Sequence, residues 1–478
     1  MIGGLLKSAS RWALVAAAGV IVGGVAMPSA KAADLGGDCC ADLEERVAEL
    51  EATTARKGNR KMSLTVTGQV HRMVLFWNDG KDSDTYYGID NTNSSSRFSF
   101  TGTSKVTPNI SMGFDITIEI EAGGTSSKLS QFDEDGKVGA QINGTLAGSF
   151  NSSNVDSYFG DARRAAFWIE DKNLGRLTVG RYESAGAITT IDLAGISAGA
   201  SASVILVNGS FLLRDKSGAY TGISWANLGD PAANQGRTEL IRYDSPTLAG
   251  FVLSASIGEA GDYWGVMLRY AGEFSGFRVA AGIGYEKVTD TQTAAAGSSG
   301  PVNLGDPALN GDVKAWGAGL SVLHVPSGLF AQGHYMAADF GGTGSTGYWG
   351  QIADKKDANQ WLIQAGITKN WFGPGNTAIF GEYSKNTDWG ATNAGRSYAS
   401  PLVGNGTTGV AINGVTDTDM TVWGVGITQN VDAAATELYL NWRRFSADIN
   451  CSSGSGCVNG KAQTEDFDAV IGGARVKF

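Results

Sequence analysis

Charged side chains recur at alternate positions in segments whose other face is apolar: Arg97, Asp115, Glu119, Arg164, Arg176, Arg242, Arg269, Arg278, Arg443, Arg475 and Lys477. The run 110–121 shows the pattern best. Ile110, Met112, Phe114, Ile116, Ile118 and Ile120 fall on one side, and Asp115, Glu119 and Glu121 on the other. Carboxylates cannot be left unpaired in an apolar core, so that face is expected to be wet. The arginines point the same way, to a hydrated lumen whose charges order solutes by charge and dipole. Catalytic chemistry finds less support. Of His71, His324 and His334, none has a recognisable Ser or Cys partner, and no Gly-x-Ser-x-Gly nucleophile elbow is expected. Gly342-Thr-Gly-Ser-Thr-Gly347 fits a dinucleotide pattern by letters but opens no helix. Asp133-Glu-Asp-Gly136 lacks the ligand spacing of a calcium loop, with Gln131 and Ile142 at the end positions, so at most a weak surface cation site is expected. Asp417 and Asp419 read as a second such site or a solvated edge. No cofactor and no structural metal are expected.

Only strands can present side chains with a period of two. Alternation recurs near 62–77, 95–105, 110–121, 161–171, 175–182, 236–244, 250–258, 262–273, 276–288, 311–324, 329–340, 358–370, 376–386, 417–430, 434–447 and 464–478, sixteen segments in all. The number is even, as bacterial barrels require. Short connections, several holding Pro108, Pro246, Pro326 or Pro374, alternate with mostly long ones near 78–94, 122–160, 183–235, 259–261, 289–310, 341–357, 387–416 and 448–463. The expected fold is all-β: a 16-stranded antiparallel transmembrane β-barrel with long extracellular loops, short periplasmic turns and a short N-terminal periplasmic helix. Trp77, Tyr182, Tyr243, Trp264, Tyr270, Tyr285, Trp361 and Trp371 lie towards strand ends and fit interfacial girdles. Arg72 is anomalous, sharing a face with Val66, Val70, Val74 and Phe76. Either a bulge that flips the register or a sheltering subunit interface would resolve it.

Residues 1–32 read as a secretory leader: Lys7 and Arg11, an apolar run over 12–27, then Ala30-Lys31-Ala32. Removing Lys7, Arg11 and Lys31 takes the formal charge from −10 to −13 (−10 − 3), which argues against nucleic acid as a partner. Residues 33–61 are expected in the periplasm. Within them Leu43, Val47 and Leu50 among acidic residues read as a short amphipathic helix, packed on the barrel rim or in a coiled coil between subunits. The barrel is expected over 62–478. Cys451 and Cys457 flank a short flexible loop in an exported chain and are expected to form a disulfide, while Cys39 and Cys40 stay open between cross-chain pairing and free thiols.

The 183–235 connection is unusually apolar, with Ile188, Ile196, Val204, Ile205, Phe211 and Leu213, so it should pack against something. Inside the barrel, its acids Glu183, Asp192 and Asp215 could face lumen arginines across a constriction. A surface cap over the mouth is the alternative.

The leader, the Cys-Cys pair with the acidic 42–54 helix, Leu64-Thr-Val-Thr-Gly-Gln-Val70 and the final Arg475-Val-Lys-Phe478 resemble the alphaproteobacterial porin family, over essentially the whole chain. The resemblance implies a homotrimer in the outer membrane of a Gram-negative bacterium, in contact with its lipid. The third long loop would fold into the pore, and small hydrophilic solutes and ions would diffuse through. It also implies that Phe478 marks the last strand for the barrel-assembly machinery. Two other functions compete: a barrel that anchors or adheres through 122–160 and 387–416, and a barrel-embedded lipid hydrolase. The acidic balance and the acids lining the mouth lean selectivity weakly to cations.

Overall fold

The computed structural model describes residues 62–120, 125–131, 141–142, 145–146, 162–186, 191–201, 203–229, 237–258, 261, 263–288, 313–340, 358–391, 395–398, 400, 402–403 and 407–478. The expected leader, the 33–61 segment with its expected helix and its cysteines Cys39 and Cys40, and the 133–136 and 342–347 motifs lie outside them.

Sixteen strands make the wall: β1 Ser63–Asn78, β2 Arg97–Lys105, β3 Ile110–Glu119, β4 Ala162–Asp171, β5 Gly175–Glu183, β6 Arg237–Asp244, β7 Phe251–Gly258, β8 Tyr263–Phe274, β9 Phe277–Val288, β10 Val313–His324, β11 Leu329–Phe340, β12 Ala358–Lys369, β13 Thr377–Thr387, β14 Asp417–Val431, β15 Thr436–Asn450 and β16 Phe467–Lys477. Each pairs antiparallel with the next, and β16 closes on β1 through ten register pairs from Gln69↔Lys477 to Asn78↔Asp468. Every strand expected from alternation is present, displaced by a residue or a few at its ends.

Closure satisfies the backbone donors and acceptors of every wall strand internally, which the hydrocarbon of a membrane demands. The outward positions are apolar and exposed all round the barrel, for example Val66, Ile116, Phe167, Leu253, Ile283, Ile363 and Val425. In water this would be a patch far beyond what a soluble surface carries. At one level the outward aromatics of β8 to β15 join into a belt. Trp264–Tyr285, Trp316–Tyr335, Trp361–Tyr383 and Trp423–Trp442 have ring centroids 5.3, 4.9, 5.0 and 4.6 Å apart. Tyr285↔Trp316, Tyr335↔Trp361 and Tyr383↔Trp423 are cross-strand partners that link the pairs. Two expected girdle members fail on parity. Trp77 points inward and is 1% exposed, and Tyr182 points inward under Arg164.

The 78–94 connection contains a strand that the sequence did not announce. Ser83–Asp90 folds back on the upper half of β1 while β2 pairs with its lower half. The register break lies in that added strand, between Met73↔Ile89 and Leu75↔Tyr86, where Gly88 takes a left-handed φ of 69°. β1 itself runs unbroken against β16, so no bulge turns Arg72 inward. It stays on the outer face, its Nη1 3.8 Å from the buried carboxylate of Asp90.

The core lies inside the barrel. Phe211, Leu213, Ile223, Trp225 and Leu228 of the third long loop pack on Met73, Leu75 and Trp77 of β1, Met420 and Val422 of β14, Phe445 of β15 and Phe467, Ala469 and Ile471 of β16. The rings of Trp77 and Phe467 lie 5.3 and 5.0 Å from Phe211.

A constricted lumen with an arginine wall

The candidate site is the inner wall of β16 and β1 to β8, facing the segment 191–201. Alternation places the expected residues on that wall, apart from Arg278 on β9 and Arg443 on β15, and the structure shows how they are held. Arg164 grips Glu183 through Nε (2.8 Å) and Nη2 (2.6 Å) and reaches Asp115 through Nη1 at 3.0 Å. Its guanidinium lies 5.1 Å over the ring of Tyr182. Arg242 forks onto Asp244 with Nε at 2.9 Å and Nη2 at 2.8 Å, and its Nη1 donates to the Glu183 carbonyl. Arg269 shares the same carboxylate at 2.7 Å and donates to Ser254 Oγ. Arg475 pairs with Glu437 and donates to Ser94 Oγ at 2.7 Å, while Lys477 reaches Glu437 at 2.8 Å nearer the rim. Arg278 pairs with Glu273 and is half exposed at the periplasmic edge.

Glu119 is held by a residue that alternation could not assign. The β3–β4 register runs Asp115↔Ala166, Ile116↔Ala165, Thr117↔Arg164 and then jumps to Ile118↔Ala162. Arg163 is the extra residue of this bulge, and two consecutive arginines therefore both face the lumen. Its Nη1 donates to Glu119 at 2.6 Å and Ser95 Oγ at 3.3 Å. The sequence signal was the Arg163-Arg164 doublet itself, since one of a pair on a membrane strand must otherwise meet lipid.

Arg97 and Arg176 differ from the rest. Among the described residues neither makes an ion pair. Arg176 stacks 4.3 Å over Trp168, and Arg97 stands in the electrostatic field of Glu119, Arg163, Arg164 and Arg475 and makes no side-chain hydrogen bond to a described residue.

Arg443 is brought elsewhere. It is 2% exposed beneath the loop and bound to Glu382. From Glu382 a hydrogen-bonded chain crosses the wall to the loop: Gln364 Nε2 donates to Glu382 Oε2 (2.9 Å) and Gln332 Nε2 to Gln364 Oε1 (2.8 Å). Ser321 Oγ donates to Gln332 Oε1 (3.2 Å) and Leu193 N–H to Ser321 Oγ (3.3 Å). The described part of the 183–235 loop thus lies inside the barrel. Ala194, Ile196 and Ala200 pack on Leu323, Phe330, Ala378 and Phe380, and Asn93 Nδ2 donates to the Ser197 carbonyl at 2.6 Å.

The loop acids do not form the expected opposing wall. Asp192 accepts backbone N–H groups of Ala194 (2.9 Å), Gly195 (2.9 Å) and Ser197 (2.8 Å), a turn that spends its lone pairs on its own loop. Burial raises its carboxyl above the ordinary aspartate range, and the three donors hold that rise back. Asp215 caps a turn of the Leu212–Arg214 and Tyr220–Ser224 hairpin, accepting from Ser217 and Ala219. Glu183 is on the arginine side, as the end of β5.

The remaining chemistry is structural. His71 Nδ1 meets the Ser94 carbonyl at 2.8 Å and Nε2 the Tyr439 hydroxyl at 2.7 Å, so both ring nitrogens are spent on structural partners. His324 meets Ser327 Oγ at 2.7 Å and stacks on Phe277. Residues 195–199 spell Gly-x-Ser-x-Gly, yet they form a turn fastened to Asp192 rather than a strand-to-helix elbow. Asp419 is occupied by Lys385 at 3.0 Å. Among the described residues no group of His, Cys, Asp and Glu is placed to hold a metal. Cys451 and Cys457 form the expected disulfide. Phe478 pairs with Gly68 through both backbone bonds, 2.8 and 3.1 Å, and its ring covers that glycine.

A family model described as Gram-negative porin matches residues 13–450. No curated protein sequence matches the chain. Among solved structures, an anion-selective porin from Comamonas acidovorans is 17% identical, with 87% of this chain and 100% of that one covered at a TM-score of 0.47. OmpT, an outer membrane protein of Vibrio cholerae, is 12% identical over 88% and 99% at 0.47. Salmonella typhi OmpF, solved with daunomycin, is 11% identical over 89% and 100% at 0.45.

Proposed function

The chain belongs to the Gram-negative porin family, outer-membrane barrels that form water-filled channels for small hydrophilic solutes, and from that premise we propose that its pore favours anions and that it works as a homotrimer. One observation carries the selectivity. Asp115, Glu119, Glu183, Asp244, Glu382 and Glu437 are each engaged by an arginine, whereas Arg97 and Arg176 have no carboxylate partner among the described residues. Two further acids lie on inward faces: Glu286, 3% exposed against the loop and hydrogen-bonded by Ser184, and Glu170, the register partner of Arg176, whose charge offsets that arginine in part and leaves Arg97 to carry the sign. Paired charges largely cancel for a passing ion, so the unpaired guanidiniums set the sign of the local potential. This reverses the weak lean to cations taken from net charge, because charge on the outer loops is screened within about 8 Å at physiological salt. A planar-bilayer reversal potential under a KCl gradient tests it: a chloride-side potential is expected, and a potassium-side one rejects anion preference.

The trimer reading rests on the outer face. β8 to β15 carry the Trp/Tyr belt, whereas the outward faces of β16 and β1 to β5 have neither residue type and hold Arg72 beside Asp90. That arc suits a second copy better than lipid, which a guanidinium avoids. Val70→Arg on this arc should yield monomers on semi-native gels, while an intact trimer would reject the placement. The leader at 1–32, the periplasmic 33–61 segment, the alphaproteobacterial branch and delivery to the assembly machinery through β16 belong to the same reading, supported by the motifs at the two ends of the sequence.

A further inference from the structure

Between the strand wall and the 191–201 segment of the loop stands a third piece of chain, the single turn Thr92–Ser94 with its flanks at 91–96. Asn91 shapes it. Its Oδ1 accepts the Asn93 N–H and its carbonyl the Ser94 N–H, both at 3.0 Å. On the wall side the turn is fastened to β1, β15 and β16. Gln69 Nε2 donates to the Ser94 and Ser95 carbonyls at 2.7 and 2.8 Å, and the His71 N–H to Ser96 Oγ at 2.9 Å. Arg475 donates to Ser94 Oγ at 2.7 Å, and Asn91 Nδ2 to the Tyr439 hydroxyl at 2.9 Å. On the loop side the amide of Asn93 spans the stretch 197–201. Its Nδ2 donates to the Ser197 carbonyl at 2.6 Å, and its Oδ1 accepts from the Ser201 hydroxyl. Asn91 Nδ2 adds a longer contact, 3.3 Å, to the Ala198 carbonyl between them.

We infer that Asn93 is a positioning residue that sets the width of the pore, by tying 197–201 to the β15, β16 and β1 side of the barrel. The inference rests on the channel reading above and adds to it the contact that fixes the aperture. The near end of the same segment is fastened to the opposite side. There the Leu193 N–H donates to Ser321 Oγ of β10 at 3.3 Å, and Ala194 and Ile196 pack among Leu323, Phe330 and Phe380. The segment is thus drawn between two anchors of different kinds. Apolar burial at 194–196 is non-directional and tolerates sliding. The planar amide is directional, with a donor and an acceptor at fixed angles, so it holds 197–201 at one place. The turn behind it is stiff, because Ser94, Ser95 and Ser96 are buried and bonded to the wall. Without the amide, 197–201 falls back towards β10 to β13 and the gap for solutes widens.

The test measures unit conductance and the size cutoff for polyethylene glycols, with the full-length protein in planar bilayers. Asn93→Ala should raise the conductance and shift the cutoff to larger polymers. The KCl reversal potential should stay near the native value, because no charge is removed. Heat-modifiable mobility on gels should also stay, which separates positioning from a general loss of fold. Ser201→Ala removes one of the two contacts and should shift the cutoff the same way by less; it serves if Asn93→Ala does not assemble. On a chain whose four native cysteines are replaced by serine, Asn93→Cys with Ser201→Cys should cross-link and return the native cutoff, and reduction should widen the pore again. A native or smaller cutoff in Asn93→Ala, or a cysteine pair that fails to cross-link, overturns the role. Absence of any current in the native protein would overturn the channel reading instead. The tie would then be read by hydrogen exchange at the 197–201 amides: faster exchange in Asn93→Ala supports it, and unchanged exchange overturns it.

Discussion

Single residues set the charge pairing of the lumen and the packing of the barrel's seam. At the neck, Arg163 neutralises Glu119 only because one residue is inserted in β4. Arg163→Gln should therefore expose the Glu119 charge and move the KCl reversal potential towards cations, with little change in assembly; an unmoved potential would mean that Glu119 does not face the permeating ions. At the seam, a Cβ added to Gly68 would meet the Phe478 ring at 2.5 Å and the Arg97 carbonyl at 2.7 Å. Gly68→Val should thus displace the ring from the β16–β1 junction. Assembly is expected to suffer more than the conductance of those barrels that form, in the same way as deletion of Phe478. Pulse-chase yield of heat-modifiable protein set against single-channel conductance separates the two effects. Neither residue was legible as such. The doublet at 163–164 breaks a period of two without saying which arginine turns, and a glycine shows its neighbour only when the strand beside it is known.

Among the elements, the 183–235 loop is the one whose described part is folded into the barrel. Its apolar composition implied burial, and the structure places Phe211, Leu213, Ile223 and Trp225 in a core against β1, β14, β15 and β16. Phe211→Ala should cost about 3–5 kcal/mol of local stability, as for other buried aromatics, and would appear as gating noise and faster proteolysis of the loop while the wall strands stay protected. A silent current and unchanged proteolysis would show that the loop is held by other means. Asp192→Ala removes the acceptor for three backbone donors that hold the turn at 194–197. Conductance should rise as the segment 191–201 loosens, with the melting temperature of the barrel nearly unchanged. Alternation gave the sixteen wall strands because one face meets lipid and the other water along every one of them. The Ser83–Asp90 strand escaped that signal, since it lies above the apolar band and its bulge at Gly88 interrupts the period.

For the molecule as a whole, the covalent link and the lumen charges lie in different regions. The Cys451–Cys457 disulfide closes a short loop between β15 and β16. Replacing both cysteines by serine should cost about 2 kcal/mol, read as a lower unfolding temperature, with conductance unchanged; altered conductance would place that loop in the ion path. The sequence alone determined the class of the protein and its compartment. A period of two with lipid on one side requires a closed sheet, and the even strand count with alternating loop lengths sets its orientation. It also named most of the lumen arginines. Only the tertiary structure decided which of them are matched by a carboxylate. Charge at a residue is local, but its effect depends on whether a carboxylate stands within reach, and those partners arrive from strands and loops far apart in sequence. Glu183 binds Arg164, Glu437 binds Arg475, Asp192 turns back on its own loop, and Arg97 is left open.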